Sequence, residues 1–210
     1  MKTQIFMRFF SLLVFMIPLL VFPQNFSEQP TEFNSGSSFA EYNLDTANST
    51  FVIKGTSSLH DWEMTSRAID GAIAFIKTDA TSIDVQAINV TIGVRTFESG
   101  NRIMNKKCYE ALKDDEYPNI FYRFKSLESI KSTGNNTFNA NLNGTLTIAG
   151  VTKTVKIAVR LVNGGNKVII TGTKALKMSD FDIEPPRALL GTLKTGNDIT
   201  IEFNLNYLSQ

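Results

Sequence analysis

Apolar and polar residues alternate across residues 138–161, on either side of a tight turn. Before the turn, Phe138, Ala140, Leu142, Leu146 and Ile148 share one face, and Asn139, Asn141, Asn143, Thr145 and Thr147 share the other. After it, Val155, Ile157, Val159 and Leu161 oppose Thr154, Lys156 and Arg160. A period of two with one apolar face predicts antiparallel strands, wet on one side and packed on the other. Ala149-Gly150 is the turn.

The same alternation predicts strands over residues 50–55, 60–68, 72–77, 82–94, 119–127, 167–178 and 198–208. Turns are expected at Asp70-Gly71 and across the Asn163-Gly164-Gly165-Asn166 loop, whose residues tolerate positive φ. About nine short strands in steady order indicate an all-β sandwich or barrel. An antiparallel β-barrel of about eight strands either fills its interior with side chains or holds one ligand. One segment breaks the pattern. Met104, Cys108, Ala111 and Leu112 recur at helical spacing, which predicts one short helix near residues 101–113. Asp114-Asp115-Glu116-Tyr117-Pro118 stops it.

The ends differ from the middle. Lys2 and Arg8 precede an apolar run over residues 9–22, the pattern of a secretory signal peptide spanning residues 1–24. The run is short for a membrane span, which needs about 20 apolar residues, and Pro18 interrupts it. No stable span is therefore expected after signal cleavage. Residues 25–41 are rich in Ser, Gln, Glu and Gly without periodicity and read as a linker. A single domain then fills residues 42–210.

Composition narrows the chemistry. The net charge is +1 over 210 residues, which gives no reason to expect a nucleic-acid partner. One cysteine, Cys108, and one histidine, His60, exclude an intrachain disulfide and a dense Cys/His metal site. No motif calls for a cofactor. His60-Asp61, with Ser57 and Ser58 nearby, invites a catalytic reading. Strand neighbours point to opposite faces, so Asp61 cannot easily orient the His60 ring, and enzymatic use is disfavoured. His60 instead reads as a backbone-bonded turn residue or a polar group at a cavity mouth. Sixteen Phe, six Met and one Trp supply large apolar groups. The alternation points Phe51, Trp62, Met64, Phe75, Tyr122, Phe124, Phe138 and Phe203 inward. Two readings fit these faces: a filled core, and a barrel holding an elongated apolar ligand.

Four segments, in order, resemble the YceI-like family. Residues 144–153, GTLTIAGVTK, resemble its G-x-L-T-I-x-G-V-T-K hairpin. Residues 108–120 resemble its stretch ending in Y-P-x-I. Gly71-Ala72-Ile73-Ala74-Phe75 resembles its G-x-I-x-F, and Lys177-Met178-Ser179-Asp180-Phe181-Asp182-Ile183 its R-S-D-F-G-I. Met178 stands in place of the basic residue and Asp182 in place of the glycine.

The resemblance implies an exported, lipocalin-like barrel that binds polyisoprenoids or similar amphiphiles without covalent chemistry. A periplasmic or secreted bacterial protein is implied, with an isoprenoid, quinone or acyl lipid as partner. Both a monomer and a homodimer fit. The implied tunnel wall is Phe51, Trp62, Met64, Ile73, Phe75, Ile120, Tyr122, Phe124, Leu146, Ile148, Ile157 and Phe203. The nearest head-group donors at its mouth are His60, Arg95 and Lys177. A filled-core structural or interaction module of the cell envelope is the alternative.

Overall fold

Because one face of each strand is apolar, the sheet curls until that face is enclosed. The computed structural model describes residues 38–77, 83–188 and 192–209. The predicted signal segment and linker residues 25–37 lie outside the described residues. The strands in chain order are β1 (Ser38–Leu44), β2 (Thr50–Ser57), β3 (Trp62–Ser66), β4 (Ile69–Lys77), β5 (Ile83–Gly93), β6 (Asn119–Gly134), β7 (Thr137–Ile148), β8 (Val151–Asn163), β9 (Lys167–Lys177), β10 (Arg187–Ala188) and β11 (Leu193–Ser209). One helix, α1 (Arg102–Ala111), interrupts them.

β1 and β2 act as one kinked strand, with β3 and β4 as its kinked partner. β1 pairs β4 from Ser38↔Lys77 to Asn43↔Ala72, and β2 pairs β3 from Phe51↔Ser66 to Gly55↔Trp62. β11 runs along both, at Leu44↔Tyr207 and Phe51↔Phe203, and pairs β9 on its other side. The result is a closed, eight-stranded, antiparallel barrel in which sequence neighbours are spatial neighbours. The kink is held by buried polar groups that satisfy one another. Ser49 Oγ donates to Asp45 O at 2.7 Å and accepts from Asn206 N at 2.9 Å. Asn206 Nδ2 donates to Asn48 O at 2.6 Å. Buried polar groups are tolerated when bonded in this way.

The Ala149-Gly150 turn has positive φ at both residues, 48° and 81°, as a two-residue hairpin requires. Asp70-Gly71, expected to be a turn, instead lies within β4; the break falls at Arg67-Ala68. Gly71 serves close packing. A Cβ there would clash with Asn89 O of β5. β1 begins at Ser38, inside the stretch that reads as linker. β6 runs on to Gly134, past the expected end at 127, and turns at Asn135-Asn136.

α1 begins where Asn101 Oδ1 accepts from Ile103 N at 2.9 Å and Met104 N at 3.2 Å, an N-cap. Its Met104, Cys108 and Tyr109 pack on the core. Burial pushes the Cys108 thiol up to about 12, as expected of a packed rather than reactive cysteine. A short turn at Met178–Phe181 packs against β8, β9 and β11, with Met178, Phe181 and Ile183 buried. It sits at the end where β8–β9 pairing has stopped, beyond Val159↔Gly172.

Candidate functional site: an apolar cavity in the barrel

The inward faces leave a narrow cavity of about 70 Å³. A water-sized centre needs about 10–15 Å³ by the same measure, so the space takes a short stretch of chain without side-chain movement. Its wall is contributed by Phe51 of β2, Ile88, Val90 and Ile92 of β5, and Ile120 and Tyr122 of β6. Leu142 and Leu146 of β7, Ile157 and Val159 of β8, and Ile170 and Lys174 of β9 continue it. Ile201, Phe203 and Leu205 of β11 complete it.

Two of the large rings lie along the wall because glycines leave room for them. A Cβ at Gly144 would come within 2.6 Å of the Tyr122 ring, and one at Gly172 within 2.5 Å of Phe203. Trp62 covers Gly55 in the same way and donates Nε1–H to Thr56 O at 3.0 Å.

The cavity is almost wholly apolar. Lys174 and Tyr122 are its lining residues with polar side-chain groups, and the Tyr122 hydroxyl itself is buried without a hydrogen-bond partner among the described residues. Tyr207, fully buried, also leaves its hydroxyl without one. Burial pushes the Tyr122 phenol up to about 12. It raises Tyr207 as well, with Tyr122 close enough to add to the rise.

Of the expected wall, Phe51, Ile120, Tyr122, Leu146, Ile157 and Phe203 line the cavity. Met64, Ile73, Phe75 and Ile148 are buried in the surrounding core, with Phe75 stacked on Tyr42 at 5.3 Å. Phe124 is partly buried against it. Trp62 lines a separate rim groove with Lys54, Glu63, Leu176 and Asp198.

Strand register brings the three expected mouth residues to one end of the barrel. His60 lies in the β2–β3 turn, Arg95 follows β5, and Lys177 ends β9. None of them lines the cavity. Arg95 pairs with Asp114 at 2.5 Å and Asp115 at 2.8 Å, and Lys177 with Asp198 at 2.9 Å. His60 Nδ1 lies 2.6 Å from Asp61 O. Ser57 Oγ donates to the His60 carbonyl, while Ser58 Oγ accepts from Lys194 N at 3.1 Å, so neither serine is aligned on the ring. Among the described residues no cluster of His, Cys, Asp or Glu could hold a metal, and no helix is long and apolar enough to cross a membrane.

The polar group that the sequence reading passed over is Lys174. Val168, Ile170, Gly172, Lys174 and Leu176 are in phase, so the alternation itself turns this lysine inward. A charged residue at an inward position was the available signal.

The model of the YceI-like domain family matches residues 42–207. A "UPF0312 protein" of Ectopseudomonas mendocina (strain ymp) is 31% identical over 129 residues, covering 57% of this chain and 62% of that protein. The chain thus spans somewhat under two thirds of the length of the curated relatives it matches. Among solved structures, a polyisoprenoid-binding domain from Saccharophagus degradans, implicated in plant cell wall breakdown, aligns with TM-score 0.64 at 14% identity, covering 80% of this chain and 98% of that one. BcnA of Burkholderia cenocepacia aligns with TM-score 0.61 at 21% identity, covering 78% and 98%. These structural likenesses carry the fold.

Proposed function

Because the chain belongs to the YceI-like family, we propose that its barrel takes up an elongated amphiphilic lipid, an isoprenoid, quinone or acyl chain, and carries or sequesters it without covalent chemistry. The observation that carries this reading is the apolar cavity between β2, β5–β9 and β11. Each methylene buried there contributes about 0.8 kcal/mol. Ser57 and Ser58 bond to backbone groups rather than to the His60 ring. The solved neighbour from Saccharophagus degradans is itself a polyisoprenoid-binding domain. Export to a bacterial periplasm or exterior belongs to the same proposal and rests on Lys2, Arg8 and the apolar run behind them.

Incubation of the purified protein with a lipid extract, followed by native mass spectrometry, tests uptake. A one-to-one lipid adduct is expected, and it should be lost when Ile201→Trp fills the cavity. A protein that takes up nothing overturns the proposal. The small cavity favours a second reading, a filled-core module of the cell envelope. That reading expects no adduct in either protein.

A further inference from the structure

Resting on the lipid-binding reading above, we propose that the ligand's chain enters the barrel sideways, through a gap between β8 and β9, and that the turn from Met178 to Ile183 is the lid of that entry. Buried side chains close both ends of the barrel. The excursion between β5 and β6 covers one end with Val94, Phe97 and Leu112, and Phe97 packs edge-on against the cavity residue Phe51. Tyr42, Phe75, Phe138 and Tyr207 are buried at the other end. The wall between the ends is not continuously paired. β8 has 13 residues and β9 has 11, yet they pair only from Val159↔Gly172 to Asn163↔Val168. Ile157 and Lys174, each two positions beyond the last pair, both line the cavity, so the gap leads onto it.

The turn over this gap is tied down on one side only. Ser179 N donates to Asn197 Oδ1 at 2.9 Å, and Asn197 Nδ2 donates to Ser179 Oγ at 2.9 Å, which fastens the turn to β11. Its other bonds are internal, from Asp182 N to Ser179 O at 3.3 Å and from Ile183 N to Met178 O at 3.2 Å. Among the described residues no hydrogen bond joins the turn to β8. Its hold there is apolar: Met178, Phe181 and Ile183 are buried where the turn meets β8, β9 and β11. An apolar contact is released without leaving a buried polar group unpaired, whereas a broken hydrogen bond is not. The turn is therefore built to swing away from β8 about its β11 attachment, and no β8–β9 ladder bond has to break beyond Gly172. A second gap lies between β5 and β6, which pair only from Asn89↔Arg123 to Gly93↔Asn119. Ile83, Val85 and Ile88 of β5 are buried along it, with Leu127 and Ile130 of β6 packed on the core, so side chains of the strands themselves occupy it.

Stopped-flow fluorescence with cis-parinarate, a fluorescent fatty acid, tests this by reading the rates of uptake and release by the full chain. Phe181 is the largest side chain that the lid buries, and it does not line the cavity. Phe181→Ala should therefore raise both rates about ten- to a hundredfold while the dissociation constant moves by less than about threefold. Leu127→Ala, a comparable truncation at the β5–β6 gap, should leave both rates within about twofold of the native chain. Circular dichroism and urea denaturation check the fold of each variant, and Phe181→Leu should give a smaller rise in the same direction should the alanine variant not fold. Unchanged rates in the Phe181 variants, a rise in release alone, or an equal rise in Leu127→Ala overturns the entry assignment and leaves the binding reading standing. A native chain that takes up no probe overturns both.

Discussion

Buried hydroxyls set the residue-scale energetics. Tyr207 is 0% exposed, and its Oη has no protein partner. An unsatisfied buried polar group costs about 1–3 kcal/mol, so Tyr207→Phe should stabilise the protein by about 1 kcal/mol in urea denaturation. A loss of stability would show that the hydroxyl has a partner in solution. Titration gives a second check. An unfolded tyrosine ionises near pH 10, whereas burial holds Tyr122 near 12 and raises Tyr207 too. The unfolded chain therefore loses these protons first. The stabilising contribution is complete below about pH 10 and is lost as pH rises towards the folded values. Stability measured from pH 9 to 12 should fall, and Tyr122→Phe or Tyr207→Phe should flatten the fall. An unchanged slope in both variants would contradict the assigned burial.

At the scale of elements, turns and close contacts explain where the sequence was legible. The β7–β8 hairpin was legible because its alternation is unbroken and Ala149-Gly150 supplies the turn. The last third of β6 was not. Register shifts between Phe124 and Ser126, Leu127 and Ser129, and Ser132 and Gly134 break its parity, and most of its residues there are exposed. Asp70-Gly71 misled because a glycine needed for strand approach carries the same sequence signature as one needed for a turn. Asp182 shows the reverse case. It occupies the glycine position of the family segment and adopts φ 53°, a left-handed conformation that glycine takes without steric penalty. Asp182→Gly should therefore raise stability, by up to about 1 kcal/mol, in a denaturant midpoint measurement; a decrease would contradict strain at this turn. Gly172→Ala should act in the opposite direction. Its Cβ would meet Phe203 at 2.5 Å and Ala158 O at 3.0 Å, pressing the ring into the cavity. A loss of about 1–3 kcal/mol and weaker ligand uptake are expected. Unchanged uptake would mean that Phe203 does not border the ligand.

For the whole molecule, strand period and turn spacing made the barrel legible, and the family segments agreed with it. Inward parity alone could not separate cavity wall from surrounding core. Phe51 and Phe203 face open space, while Ile73 and Phe75 face other side chains, and all four obey the same alternation. Their difference arises from how the closed ring packs across strands distant in sequence. The mouth residues were legible only as nearby polar candidates; that they share an end follows from strand order, and that Arg95 and Lys177 are already paired with Asp114, Asp115 and Asp198 from the fold. Lys174 was legible in principle, by the same alternation that identified its apolar neighbours. The most direct measurement of ligand entry is isotope-filtered NMR on methyl-labelled protein with a bound dodecyl amphiphile. Contacts from the chain's methylenes to the methyl groups of Ile120, Leu146, Ile157 and Ile201 are expected, with none to the exposed Leu59 and Ile103. Contacts confined to those exposed residues, with the four inner methyl groups silent, would contradict a ligand inside the barrel.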